Sequence, residues 1–355
     1  MIIRLSLLLA VAIAPASGAR ATEVATRPSA LATAAAPKPL TGIPLRGPTG
    51  LRLLVSNDPP VLLNVDTGRV RPVSGLGILG RPVLSVQPVG KDAVVWLDRG
   101  LRTQAVSTAE LYVVRQGTTV ARRIGSGWNV APSTDGRAIW VTRFKAKRRC
   151  TLAEVGLNGR LRRRPQPLPC STRLVTAGAT ALLVDSRSIR DPRTRRVLLR
   201  GKTSVWAIAG ELALTSASSH GPLAVRNLRT GERWPLAWPS EITGTDQAVV
   251  QPKTGLIAVD FADPAYQGSG TQVTDVWLLD PARRRFQHLP DMPADVSLKA
   301  TFMSWTSDGR LVILAESGGR EVVGVWRPGD ARIAVRRVRL PQPNSGSDAF
   351  VVARD

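Results

Sequence analysis

The sequence predicts an all-β fold, a seven-bladed β-propeller of four-stranded antiparallel blades whose ring is closed by the C-terminal strand completing blade one. Three observations carry this expectation. From residue 51 to the end, Val, Ile, Leu and Trp alternate with polar residues, and no long stretch has the helical period. A turn recurs between apolar runs as "VDTGRV" (65–70), "VRQGTTV" (114–120), "GLNGRL" (156–161), "DPRTRRV" (191–197), "LRTGERW" (228–234), "DPARRRF" (280–286) and "RPGDARI" (327–333). Seven such hairpins over roughly 300 residues give a period of roughly 40 to 45, the length of a blade. The two ends are also complementary. The first repeat starts at "LRLLVS" without an inner strand, and "DAFVVARD" follows the seventh repeat as a spare strand. Joining the two leaves no open edge in the ring.

At the N-terminus, Arg4 precedes the apolar run Leu5–Ala14, which is too short to span a bilayer, and Ala19-Arg20-Ala21 offers a small-residue cleavage site. Residues 1–21 therefore read as a signal peptide. The mature chain is expected to be extracellular, cell-wall-associated or periplasmic, with no transmembrane span. Residues 22–48, rich in Ala, Thr and Pro, are expected to form a flexible tether, and residues 49–355 the propeller.

Within the propeller, strands are lettered a to d from the axis outward. The third repeat reads a "GWNVAPS", b "RAIWVTRF", c "CTLAEV", d "RLRRRP". The seventh reads a "KATFMSW", b "RLVILAE", c "EVVGVWR", d "ARIAVRRV". The expected inner strands are "VLSVQ", "WNVAPS", "RLVTAG", "SVWAIAG", "QAVVQ", "ATFMSW" and "AFVVAR". Cys150 and Cys170 flank the "LNGR" turn, so a hairpin brings them together, and an oxidising compartment favours a disulfide. With no other Cys and only His220 and His288 elsewhere, a metal shell has no obvious donors. The tryptophans read as packing between blades, with Trp234 and Trp238 in "RWPLAWPS" the exceptions to check.

The stretch "STDGRAIW" at Ser133 is echoed by "SWTSDGRLVI" at Ser304, and the aspartates Asp135 and Asp308 lie about four blade periods apart. With these S/T-D-G-R turns at Thr134–Arg137 and Ser307–Arg310, each followed by an apolar strand, the chain resembles the TolB-like and WD-repeat-like β-propellers of bacterial secreted proteins. The resemblance covers residues 51–355 and implies a fold; it assigns no activity. Blades four and five depart from it by lacking the turn, and the Trp-Asp strand endings of WD repeats do not occur.

Chemistry is sparser than architecture. Ser133, Asp135 and Trp140 nearly match a sialidase Asp box, but Gly136 directly after Asp135 fits a tight a–b turn, a structural role. The expected inner strands are poor in Asp, Glu and His, Tyr112 falls in a c strand, and His220 and His288 sit alone. No catalytic residue and no cofactor are assigned. The net charge of +23 suits an anionic partner, whereas export argues against nucleic acid. Arginines concentrate after the c–d turns, where charge on an outer strand blocks edge pairing.

Three long b–c connections, 99–108, 145–149 and 263–270, are expected to share one face. They nominate Arg99, Arg102, Lys145, Lys147, Arg148, Arg149, Asp263 and Tyr266 as binding residues. The resulting reading is a monomeric, secreted interaction or scaffold module. Its partner is a protein not named by the sequence or an anionic envelope polymer. A propeller hydrolase or lyase acting on carbohydrate or peptide is the alternative.

Overall fold

The structure, a computed structural model, describes residues 37–57, 59–76, 83–103, 106–145, 149–178, 180–262, 271–297, 302–341 and 350–353. Seven antiparallel blades have the expected a-b-c-d order. Their inner strands are Phe350–Ala353, Val83–Val89, Val130–Pro132, Arg173–Ala177, Ser204–Ala209, Thr245–Val250 and Phe302–Trp305. Each lies beside the next, and the seventh lies beside the first. Closure is as expected: Phe350–Ala353 pairs antiparallel with Arg52–Val55, with Val55 opposite Phe350 and Arg52 opposite Ala353.

The blades are held together by seven apolar clusters, one at each seam. Successive side chains of a strand point to opposite faces, so a blade covered on both faces needs a continuous apolar run. Strand b of blade seven, Leu311–Ser317, shows this. Leu311, Ile313 and Ala315 face blade six, while Val312 and Leu314 face blade one. Leu53 and Val55 of blade one meet the latter pair, and Leu54 turns to blade two. All nine tryptophans pack in these seams, Trp234 and Trp238 included, between blades five and six.

The c–d turns share one local design. In four of them, an Asx side-chain oxygen accepts from two backbone N–H groups ahead of it: Asn64, Asp191, Asn227 and Asp280. The fourth residue after each is left-handed, namely Gly68, Arg195, Gly231 and Arg284, with φ of 66°, 63°, 78° and 57°. These four turns therefore keep the Asx but glycine only in part, since arginine accepts the strained conformation at a cost of about 1–2 kcal/mol.

The expected disulfide forms between Cys150 and Cys170, with Cα atoms 5.1 Å apart. It ties the start of strand c of blade three, Arg149–Gly156, to the segment following strand d, inside the seam with blade four.

Three boundaries differ from expectation. Strand d of blade three is Gln166–Leu168 instead of 160–165. Residues 160–163 instead follow the lower edge of strand c, where Arg162 N–H donates to Glu154 O and both Arg162 and Arg163 pair with the Glu154 carboxylate. The segment 99–108, expected as a loop, prolongs a hairpin: strand b of blade two runs Asp92–Thr103 and strand c Val106–Val114, with Arg102 opposite Ser107.

The third difference concerns residues 37–48, placed in the tether by composition. They lie along the outside of the ring. Lys38–Pro39 pairs parallel with Ala294–Asp295 of blade six, and Ile43–Pro44 with Ala334–Val335 of blade seven. Between them Leu40, 3% exposed, enters the seam of blades six and seven, and its N–H donates to Ser317 Oγ. Gly42 has φ +42°, and a Cβ there would meet Ile333 O at 2.2 Å, so only glycine lets the strap lie this close. Past the strap, Asp66 of blade one accepts from Thr49 and Gly50. Arg336 of blade seven reaches Leu45 O, Gly47 O and Asp66. The strap thus crosses the place where the ring closes.

Outer edges are handled blade by blade. The strap covers blades six and seven, and Ser74 bridges in parallel to Val120 at the outer edge of blade two. In blades one and five the N–H groups of Val73 and Leu236 point inward, which leaves Pro72 and Pro235 at the outward positions, without a donor. Blade three carries Pro167 in its outer strand, and blade four has a register break between Ile189 and Arg190. Exposed arginines such as Arg122, Arg123, Arg285 and Arg337 add charge along these edges.

Leu40→Ala is expected to lower stability by about 2 kcal/mol or more, as for other buried Leu truncations, read as a reduced urea midpoint. Replacing both Cys150 and Cys170 by Ala frees a span of 20 residues. That change is expected to cost about 3 kcal/mol in non-reducing buffer and nothing further when reductant is added.

Candidate basic cleft between blades two and three

The a–b and c–d turns of all blades emerge on one face, because strands alternate in direction. Between blades two and three this face opens into a cleft of about 530 Å³. Its walls come from Lys91 and Asp92 at the a–b turn of blade two, from the a–b turn Asp135–Arg137, from Arg115, and from the c–d segment Gly156–Arg162. The two a–b turns touch through glycines: a Cβ on Gly90 would lie 2.4 Å from Gly136 O. This contact explains why both positions carry glycine.

The repeated "DGR" turn proves structural. Ser133 N–H donates to Ala138 O, Gly136 N–H to Ser133 O, and Arg137 N–H to Asp135 Oδ1. Its echo in blade seven repeats the inner bond, Gly309 N–H to Thr306 O, but closes one residue tighter, Thr306 N–H to Arg310 O, with Asp308 accepting from Thr306 and Arg310. Arg162, donating across 2.5 Å, holds Asp135 down at about 2, helped by the Arg137 N–H.

Asp92 and Arg115 form the other ion pair of the cleft, 2.5 Å apart, and Arg115 also reaches Leu157 O of blade three at 3.5 Å. Arg122 reaches Asn158 O in the same turn. Two blade-two arginines therefore fix the blade-three wall. Lys91, Arg137 and Arg160 complete the cationic lining and have no carboxylate within 4 Å among the described residues. Leu161 lies among them, 50% exposed. None of these residues was nominated from the sequence as a binding group. The legible signal was Lys91 and Arg137 in the a–b turns of adjacent repeats, with Arg160 in the neighbouring c–d turn.

Of the nominated residues, those that the structure describes lie toward the b–c ends of the blades, the face opposite the a–b and c–d turns. Lys147, Arg148, Asp263 and Tyr266 lie outside the described residues. For Arg99, Arg102 and Lys145 the backbone alone is described, within the b strands Asp92–Thr103 and Ala138–Lys145. Arg149 is exposed at the start of strand c, opposite Lys145 in register.

Blade six contains polar chemistry that the sequence reading passed over. Its inner strand begins at Thr245 and so includes Asp246, outside the expected "QAVVQ". Asp260, in the otherwise apolar strand Ile257–Ala262, has no exposure. Burial pushes its carboxyl up to about 8; a hydrogen bond from Thr274 opposes this, and Asp246 and Asp275 nearby add to it. Asp260 Oδ2 has no partner among the described residues. Asp246 is exposed, and partial desolvation raises its carboxyl too.

His288 is not alone, contrary to expectation. Its Nε2 lies 2.6 Å from Asp275 Oδ1, and its ring stacks on Trp277 with centroids 4.4 Å apart. Burial raises Asp275, but donors from His288, Ser240 and Trp277 outweigh it and leave the carboxyl below its usual range. Ser240 bonds to the carboxylate, so a serine–histidine relay is not assembled. The cluster joins strand c of blade six to the connection leaving blade five. Tyr112 is 3% exposed in the seam of blades one and two, with its hydroxyl on Glu110. His220 contacts Ser219 in an exposed turn. No helix among the described residues is long and apolar enough to cross a membrane.

No protein-family model matches the sequence, and no curated protein is similar to it. Solved structures share its fold. An acylaminoacyl peptidase in complex with a chloromethyl ketone aligns at 13% identity over 84% of this chain and 52% of its own, with a TM-score of 0.51. This chain therefore spans about half the length of that peptidase. The β-propeller domain of the trilobed protease from Pyrococcus furiosus aligns at 12% identity over 81% of this chain and 88% of its own, also with a TM-score of 0.51. That domain is described as having an open velcro topology, whereas here the ring is closed by Phe350–Ala353. TolB from Acinetobacter baumannii aligns at 13% identity over 88% and 68%, with a TM-score of 0.49. The expected propeller fold is thus shared with solved propeller structures.

The raised Asp260 makes stability depend on pH. The native state keeps a proton that the unfolded chain releases, so the stabilisation present below about pH 4 is lost as pH rises toward about 8. Thermal melts at pH 5 and pH 9 should show Asp260→Asn losing less stability than the parent chain over this interval. An equal loss in both would place the proton elsewhere.

Proposed function

We propose that the protein is an exported binding module, a propeller that holds a partner of the envelope or extracellular space on one face of its ring. The observation that carries this reading is the cleft between blades two and three. Its volume is that of a ligand site, and its walls are fixed in advance by Gly90 against Gly136 and by Arg115 against Leu157 O. Preformed walls reduce the ordering cost of association. The disulfide Cys150–Cys170 and the leader-like residues 1–21 support export. Prolines, strap and charge along the outer edges support a monomer that meets its partner through a face and not through its rim.

The test compares the two faces. Leu161→Trp fills the cleft, and Arg149→Trp alters the opposite face, at the exposed start of strand c of blade three. Each is immobilised and challenged with envelope extract of the source cells. Loss of the captured partner with Leu161→Trp alone is expected. Loss with Arg149→Trp alone would move the binding face to the other side of the ring.

A further inference from the structure

We infer that the ligand of this cleft is an acidic, extended segment of a protein, bearing an aliphatic side chain among its carboxylates. The inference rests on the reading of the cleft as the binding face and names what it recognises. Five cations line the cleft, against the carboxylates of Asp92 and Asp135. Those two carboxylates are already committed to Arg115 and Arg162, at 2.5 Å each. The remaining charge belongs to Lys91, Arg137 and Arg160, one cation from each of three separate turns. The site therefore presents fixed positive charge at several points around an opening, and it matches a ligand with several spaced anions better than one with a single anion.

The neutral part of the lining decides the class. Leu161 is one of only a few large apolar side chains exposed among the described residues, and it stands between Arg160 and Arg162. Covering it with an aliphatic group stabilises a complex, and water-rich polyanions offer no such group. The lining contains no aromatic ring on which a sugar would stack. A peptide alternating acidic and aliphatic residues supplies both needs, with guanidinium forks meeting carboxylates in bidentate fashion.

The probes are a short fluorescent peptide alternating Glu and Leu, its Gln and Leu counterpart, a Glu and Ser peptide, inorganic polyphosphate and polygalacturonate. Binding to the intact protein is measured by anisotropy, with the unlabelled polymers as competitors. The Glu and Leu peptide is expected to bind best and to weaken as salt rises. Each of Lys91→Gln, Arg137→Gln and Arg160→Gln is expected to weaken it about tenfold, the size of one charge-assisted hydrogen bond. Leu161→Ser should erase its advantage over the Glu and Ser peptide, while Arg320→Gln on blade seven leaves binding unchanged. Equal binding of the Gln and Leu peptide overturns the inference. Polyphosphate or polygalacturonate binding with the same cation dependence, and more tightly than the peptide, overturns it in favour of an anionic polymer. The two readings fail differently. If Leu161→Trp abolishes capture of the natural partner while the three neutralisations leave it intact, the cleft stands and its acidic ligand falls. If neither matters, the cleft itself is not the binding face.

Discussion

The apolar seams between successive blades are the interaction on which the rest of the molecule depends. A blade such as Leu311–Ser317 with its partners carries apolar side chains on both faces, so it is stable only when a neighbour covers each. A linear stack would leave its first and last blades half exposed. The ring removes that problem only if it closes, and closure here has two parts. Inside, Phe350–Ala353 supplies the inner strand of blade one; outside, the strap from Lys38 to Leu45 runs over blades six and seven and hands the chain to blade one through Thr49, Asp66 and Arg336. Both ends of the described chain therefore hold the same seam.

Closing the ring in this way leaves its outer rim to be protected. Seven outer strands would present unpaired backbone groups, yet each carries a local device: a covering segment, an outward proline, a register break or arginine charge. The strap is one of these devices as well as a clasp. Pro39 and Pro44 end its two short strands, and proline has no N–H with which to extend a ladder. The high arginine content is thus spread between edge charge and wall-building contacts, such as Arg115 and Arg122 against the turn of blade three.

The cleft follows from the same geometry. Turns of adjacent blades converge on the a–b and c–d face, and the contact of Gly90 with Gly136 sets how closely blades two and three meet there. Ion pairing then sorts the cations. Arg162 is spent on Asp135 and Arg115 on Asp92, which leaves Lys91, Arg137 and Arg160 facing solvent. Blade six shows the opposite use of polar groups. Asp275 gathers His288, Ser240 and Trp277 into a closed network, and Asp260 stays protonated near neutrality because its one hydrogen bond from Thr274 does not offset the burial of a charge.

What could be read from the sequence was local. Alternation located the inner strands, the seven recurring hairpin turns counted the blades, the spacing of Cys150 and Cys170 gave the disulfide, and the two unmatched ends gave the closure. All of these are fixed by residues close in the chain or by the need of a ring to have no ends. Other features needed the fold. Residues 37–48 have the composition of a linker, and only the presence of the seam for Leu40 and the edges of blades six and seven makes them a strap. His288 looks solitary until strand pairing sets it opposite Trp277 and beside Asp275. Lys91, Arg137 and Arg160 are ordinary turn residues in three different places. They form one positively charged cleft because blade packing, which depends on contacts far apart in sequence, sets their turns around one opening.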